Sequence, residues 1–256
     1  MAIFMRQICL VAEHLHPAID DLSEVFGLAP VFVDEKVGDY GLENTLLGIG
    51  TQFLEVVAPL RDGTAAGRYL QRRGGDGGYM VIAQTTEQAE QDRVRANAAA
   101  NGVRVAMERD GGSYKMMQLH PGDMRASFFS VPFIEGGDPA GTWPFAGFDG
   151  WRDKVTADRV TAMTGAELQA EDPEALAAHW SAVSGYPVER RDGVPVIVLA
   201  NADLRFVEAV DGRGDGLGGL DLKVRDRATV VAAAREKGLM TGPDCAMICG
   251  TRFYLR

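Results

Sequence analysis

One phrase returns twice along the chain. Gly50-Thr51-Gln52-Phe53-Leu54-Glu55-Val56-Val57 comes back as Ala202-Asp203-Leu204-Arg205-Phe206-Val207-Glu208-Ala209-Val210, and again as Gly250-Thr251-Arg252-Phe253-Tyr254-Leu255. A repeat constrains the fold more than any single residue, because each copy must belong to one recurring supersecondary unit. Each copy closes a longer unit that opens with a short apolar strand and a helix. One unit opens at Gln7-Ile8-Cys9-Leu10-Val11-Ala12 and continues through a helix from His16 to Gly27; its counterpart opens at Gly165-Ala166-Glu167-Leu168-Gln169-Ala170 and continues from Asp172 to Gly185. Opening strand and closing Glu lie 48 residues apart from Gln7 to Glu55 and 43 apart from Gly165 to Glu208, so the copies differ by loop length. Residues 1–60 and 161–211 are expected to superpose, with Glu55 and Glu208 at matching places.

Helix and strand signals alternate in the same order. Leu15, Ala18, Ile19, Leu22, Val25 and Phe26 recur at helical spacing, Pro17 suits the first turn and Gly27 stops the helix. Short β-prone runs follow at Val31–Val33, Leu46–Ile49 and Phe53–Ala58, giving β-α-β-β-β. A second unit begins at Tyr79–Ala83, with a helix over Thr86–Asn101 and strands at Val103–Glu108, Tyr114–Leu119 and Ala126–Phe133. The third starts near Thr161, where Asp172-Pro173-Glu174 is a helix start and Leu176, Trp180 and Val183 form the buried stripe. The fourth has a strand at Leu220–Val224, a helix from Asp226 to Gly238 and strands at Met247–Gly250 and Thr251–Leu255; it is expected to lack one strand, and its cup to be the shallower. Between Glu135 and Asp153 the sequence turns to Gly, Pro, Asp and Trp, as a linker would. The reading is an α+β protein of two pseudo-symmetric domains, residues 1–135 and 156–256, joined by a linker over 136–155.

Composition excludes some partners. A formal net charge of −10 argues against nucleic acid or an anionic membrane, both of which need a basic face. No apolar run approaches the roughly 18 residues of a membrane span, and Met1–Arg6 has no leader pattern, so a soluble, cytoplasmic protein is expected. Three cysteines, Cys9, Cys245 and Cys249, suit reduced thiols. Cys245 and Cys249 are too widely spaced for a C-x-x-C motif and read as strand packing residues.

Tandem β-α-β-β-β units with a short apolar first strand and a Glu in the fourth resemble the vicinal oxygen chelate superfamily, which includes glyoxalase I, methylmalonyl-CoA epimerase, extradiol dioxygenases and bleomycin-resistance proteins. The stretch from Phe53 to Leu60, followed by Gly67–Gly74, is similar to the epimerase segment leading into its second unit; Gly74-Gly75-Asp76-Gly77-Gly78-Tyr79 is similar to bacterial glyoxalase-like proteins. The resemblance implies a divalent metal (Zn, Ni, Mn, Mg or Fe) held by four slots. In this sequence they fall on Gln7, Glu55, Tyr79 and Phe128 or its neighbour Ser127, so half of the shell is missing. In the second pair they fall on Gly165, Glu208, Leu220 and Leu255, which is no credible site.

Glu55 reads either as an exposed carboxylate on a half-covered sheet or as a metal ligand and base; it shares a strand face with Phe53 and Val57. Gln7 reads as an edge residue or a ligand. His120, between a strand and Pro121, reads as an exposed turn residue, or as the third metal ligand or an acid/base. Arg68, Arg72 and Arg73 read as a solvated helix face, or as contacts to a substrate anion with Arg72 foremost. The glycine run Gly74–Gly78 reads as a flexible connection or a lid. Phe53, Tyr79 and Phe128 are the expected apolar lining of a cup in the first domain, with Gln7, Glu55 and His120 converging on it. Two functions follow for a monomer or homodimer with a small-molecule ligand: a metal-dependent lyase, isomerase or dioxygenase, or a non-catalytic, metal-free binding protein of the bleomycin-resistance type.

Overall fold

The computed structural model describes residues 2–256. Four modules follow one another, each strand-helix-strands. The first holds β1 (Ile3–Val11), α1 (Leu15–Phe26), β2 (Pro30–Phe32), β3 (Leu42–Ile49), β4 (Gln52–Pro59) and an added helix α2 (Ala65–Arg73). The second holds β5 (Gly77–Thr85), α3 (Gln88–Ala100), β6 (Val105–Asp110), β7 (Tyr114–Leu119), α4 (Pro121–Met124), β8 (Phe128–Ser130) and β9 (Phe133–Ile134). The third holds β10 (Val160–Ala170), α5 (Pro173–Ser184), β11 (Val188–Arg191), β12 (Val194–Val198) and β13 (Asp203–Glu208). The fourth holds β14 (Gly216–Val224), α6 (Arg227–Glu236), β15 (Met240–Gly242), β16 (Cys245–Ile248) and β17 (Thr251–Leu255). Strands β1–β9 make a nine-stranded sheet and β10–β17 an eight-stranded one. Within them the module orders are β2-β3-β4-β1, β5-β8-β7-β6, β11-β12-β13-β10 and β14-β17-β16-β15. This is the paired βαβββ, α+β architecture expected from the repeat.

Local chemistry explains most boundaries. Gly27 adopts the left-handed conformation (φ +69°) after α1, and its N–H bonds Ser23 O, a cap that L-side chains enter at a cost. Asp172 caps α5 by accepting from the Ala175 N–H, with Pro173 behind it. The expected continuous strand over Ala126–Phe133 is broken into β8 and β9 around Pro132, which has no N–H to give to a ladder.

Three expectations are corrected. The fourth module is not short of a strand: β15 pairs antiparallel with β16, Met240 facing Ala246, in a three-residue run too brief to show a pattern in sequence. The glycine run is not a loose connection, because Gly74 caps α2 at φ +70°, Asp76 accepts the Glu13 N–H at 2.8 Å, and Gly77 and Gly78 already belong to β5. Glu208 does not match Glu55. The β3–β4 hairpin places Leu46 opposite Glu55, whereas β12–β13 places Val196 opposite Arg205 at the same distance from its turn. Glu208 lies three residues further on, exposed at the end of β13 beside Ala170.

By packing, the chain divides into two compact units that interleave the modules. One comprises Met1–Gln7, Tyr79–Gly141 and Gly165–Leu217, hence the second and third modules; the other comprises Ile8–Gly78, Thr142–Thr164 and Gly218–Arg256, hence the first and fourth. In the former, α3 packs on α5, and Trp180 lies between Phe129 (ring centroids 5.1 Å) and Phe206 (6.3 Å), its indole N–H on Met124 O at 3.0 Å. Buried Arg6 gathers Gln84 and the carbonyls of Pro139 and Gly141, tying down part of the expected linker. In the latter, α1 packs on α6, Phe26 meets Phe253 at 5.0 Å, and Lys237 bridges Asp21 and Glu24. Trp180 is wholly buried, so Trp180→Ala leaves a cavity and an unpaired Met124 carbonyl. Urea denaturation should show a loss of about 3–5 kcal/mol, and a loss below about 1 kcal/mol would contradict this account of the packing.

Candidate functional site on the first module

The polar centre of the first module is built on β4, β3 and β1. Glu55 is 8% exposed, not the solvent-facing carboxylate that strand alternation alone allows. On the same face, Asn44 stands opposite Val57, and its Nδ2 donates to Glu55 Oε1 at 2.6 Å. The amide orientation is fixed from behind: Asn44 Oδ1 accepts the Asp34 N–H at 2.9 Å, so the NH₂ end must face the carboxylate. The Ala12 N–H bonds Val57 O at 2.9 Å, which sets Val11 beside Val57 and therefore Cys9 beside Glu55. Cys9 is fully buried; its thiol lies 3.4 Å from Leu10 O and also faces Glu55, whose charge and hydrogen bonding act on it. Burial holds the thiol well above its ordinary pKa, and the charge and hydrogen bond of Glu55 push it further, with a smaller push from Cys249. Cys249 is half-buried in the turn between β16 and β17, its Sγ on Val11 O at 3.5 Å.

Further along the same face the expected linker is seated on the sheet. Phe53 stacks on Trp143 (6.4 Å, 9°) and meets the edge of Trp151 (5.0 Å, 86°), all three buried. Gly48, opposite Phe53, leaves the room: a Cβ there would lie 2.7 Å from Val155 Cγ2. Gln52 fixes the strap's far end by a reciprocal pair of bonds, Nε2 to Met163 O (2.9 Å) and the Met163 N–H to Oε1 (2.8 Å). The expected lining residue Phe53 is thus committed to an aromatic cluster, and the segment over 142–155 is a packed strap.

Of the remaining expected residues, Gln7, Tyr79, His120 and Phe128 lie in the other unit, and Arg72 in the same one. Gln7 is buried on β1. Tyr79 and Phe128 are together, ring edge to face at 5.0 Å. Met80 pairs with Phe128, so Ser127 is the residue beside Tyr79, and its hydroxyl donates to Tyr79 O at 3.2 Å. His120 caps the single turn of α4: Nδ1 accepts the Gly122 N–H at 3.2 Å, which places the proton of the neutral ring on Nε2. Arg104 lies 3.4 Å from the same nitrogen and pairs with Asp123 at 2.7 Å, holding the Asp123 carboxyl down at about 2. Arg72 is exposed on α2, its guanidinium 5.8 Å over the Tyr69 ring.

Residues that sequence reasoning missed are Asn44 and Cys9. The available signal was the dyad: Cys9 lies two positions beyond Gln7 on the same strand face, and Asn44 is a lone amide before the apolar run of β3. The donor set does not fit the metal that the superfamily implies. Asn44 offers its NH₂ to Glu55, and the buried Cys9 keeps its proton, whereas a metal takes thiolate. Aromatic rings stand at Tyr79 and Phe128, and no group of three or more His, Cys, Asp or Glu side chains among the described residues is placed to hold an ion.

The family model for the glyoxalase-like domain matches residues 8–184. The chain belongs to this family. Its paired βαβββ sheets have the vicinal oxygen chelate fold. A hypothetical protein from Staphylococcus aureus is similar over 100% of this chain and 99% of its own, at 14% identity and a TM-score of 0.64. A mutant of 4-hydroxymandelate synthase from Streptomyces coelicolor is similar over 93% of this chain and 76% of its own, at 15% identity and a TM-score of 0.68. No curated protein matches. At these identities the likeness establishes the fold, and activity has to be argued from the glyoxalase-like chain's own residues.

Two measurements follow from the Cys9 environment. At pH 8 in native buffer, iodoacetamide should label Cys245 and Cys249 well before Cys9, which should react only after denaturation; equal rates would refute the protected thiol. A thiol whose folded pKa is raised contributes stability below its unfolded pKa of about 8.5, and that contribution is lost as pH rises above it. The stability gap between wild type and Cys9→Ser should therefore narrow between pH 7 and pH 10 in urea titrations.

Proposed function

We propose that this glyoxalase-like protein binds a small organic molecule at the Glu55 face of its first module, without a metal ion held by the protein. The observation that carries the reading is the engagement of Glu55 by Asn44 and Cys9. A carboxylate held by an amide NH₂ and a protonated thiol is set as a hydrogen-bond acceptor, so it favours a ligand that presents N–H or O–H. The Phe53–Trp143–Trp151 cluster on the same face gives such a ligand an apolar, rigid border. Of the two functions open in the sequence, this supports the binding protein over the metal-dependent lyase, isomerase or dioxygenase.

The test combines metal analysis with ligand screening of the purified protein. Thermal-shift screening of small apolar amines and alcohols against matched ethers and hydrocarbons should give stabilisation by the donor-bearing set alone, lost in Glu55→Ala. Elemental analysis should find no stoichiometric divalent metal in either protein. Stoichiometric metal that disappears in Glu55→Ala would overturn the proposal and restore the metalloenzyme reading.

A further inference from the structure

The sheet of the second module has one closed face and one open face. On the closed face Val81, Ala83, Met117, Leu119 and Phe129 are fully buried, and Lys115 reaches Gln88 of α3 at 2.8 Å. Side chains of opposite parity make the open face, where Met80, Met107, Met116 and Phe128 are only half-buried. Two polar side chains stand among them. Gln118 and Ser130 oppose each other across the β7–β8 ladder and are 5% and 2% exposed. Gln118 Nε2 has a single acceptor among the described residues, Met80 Sδ at 3.6 Å, and a thioether accepts only weakly. Gln118 Oε1 receives no hydrogen bond from the described residues, and the Ser130 hydroxyl makes none with them. Buried amides and hydroxyls are ordinarily satisfied by the protein, so this pair has hydrogen-bonding capacity left to offer.

We propose that this face is a second binding site, for a small, neutral, flat aromatic molecule that carries a lactam edge. A carboxamide and a lactam are complementary, since each presents a donor and an acceptor side by side and the two close on each other with two hydrogen bonds. The ligand N–H goes to Gln118 Oε1, and the ligand C=O replaces the Met80 sulfur as the acceptor for Nε2, a strong acceptor in place of a weak one. The Ser130 hydroxyl, directly across the ladder, donates to the second lone pair of that carbonyl. Neutrality follows from the lining: Met80, Met116, Phe128, Gln118 and Ser130 carry no charge, so an ion buried among them would lack compensation. Aromaticity follows from the sulfurs. Methionines adapt their shape to a ligand and make favourable contacts at ring edges, and Phe128, held edge to face by Tyr79 at 5.0 Å, supplies a fixed ring surface. The site does not rest on the Glu55 reading, because these residues belong to the unit of the second and third modules and Glu55 to the other.

Calorimetric titration of the full chain would compare the aromatic lactam carbostyril with its N-methyl derivative, which lacks the N–H, and with quinoline, which lacks both N–H and C=O. Carbostyril should bind about tenfold more tightly than either, the worth of the hydrogen bonds they cannot make. Gln118→Leu should erase that preference. Met80→Leu, which keeps the apolar volume and removes the sulfur acceptor, should preserve it. Methionine-methyl NMR should show the Met80 and Met116 signals moving on addition of carbostyril while that of Met163, buried in the third module, stays still. Equal affinity for the three probes, no binding of any, or an unchanged preference in Gln118→Leu would overturn the proposal. Circular dichroism and a thermal melt of each variant keep misfolding apart from recognition; should Gln118→Leu fail to fold, Ser130→Ala takes its place, with weaker carbostyril binding expected and unchanged binding counting against the site. The same titration in Glu55→Ala separates the two readings. The lactam preference should survive there, and its loss with the Met80 and Met116 signals unmoved would place the ligand on the Glu55 face and overturn this site; failure of the amines and alcohols to bind through Glu55 leaves the lactam site standing.

Discussion

A carboxylate buried on a sheet must be met by donors, and that constraint organises the first module. Glu55 lies where β4 is covered, so its desolvation has to be offset by hydrogen bonds that cost less than they return. One comes from Asn44, whose own orientation depends on the Asp34 N–H at the start of the 3₁₀ turn between β2 and β3. Another comes from Cys9, whose place opposite Glu55 depends on the parallel ladder between β1 and β4. A change at any of these three side chains strands the others, which is why the site reads as one coupled unit.

The strap over 142–155 sets the other boundary of that face. Trp143 and Trp151 bury large apolar area on Phe53, each worth on the order of 2–3 kcal/mol, and Gly48 supplies the clearance that lets Val155 approach. A connecting segment is thereby turned into a wall. Composition alone makes Gly-Asp-Pro and Trp-Pro look like a linker, and the structure uses the same glycines for turns and the same tryptophans for packing.

What was legible in the sequence was the periodic part. The stripe Leu15–Phe26, the Asp172-Pro173 cap and the recurrence of the closing strand gave the βαβββ order because each is a local pattern with a local cause. The site was legible only as Glu55, since its neighbours are fixed by register. Whether Gln7 or Cys9 reaches Glu55 turns on a two-residue step between strands 46 residues apart, which no local pattern encodes. β15 was missed for the opposite reason: three residues carry too little alternation to read.

Register also explains why Glu55 and Glu208 looked alike and are not. Counted from the hairpin turns, the place of Glu55 in β4 is taken by Arg205 in β13 and by Tyr254 in β17. The place of Cys9 beside it is taken by Glu167 and by Asp221. In three of the four modules this cross-strand position therefore carries a buried acid, on the first strand or on the last. Where it sits on the first strand it meets a guanidinium: Glu167 binds Arg205 at 3.0 Å, and Asp221 binds Arg256 at 3.1 Å. Those pairs close on themselves, because an ion pair with both members engaged has little left to offer a ligand. In the first module the acid sits on the last strand instead, and an amide and a thiol take the place of the arginine's fork as its donors. The same repeated position is thus closed by an ion pair in two modules and held by an amide and a thiol in the first, a difference made by side chains on one scaffold unit.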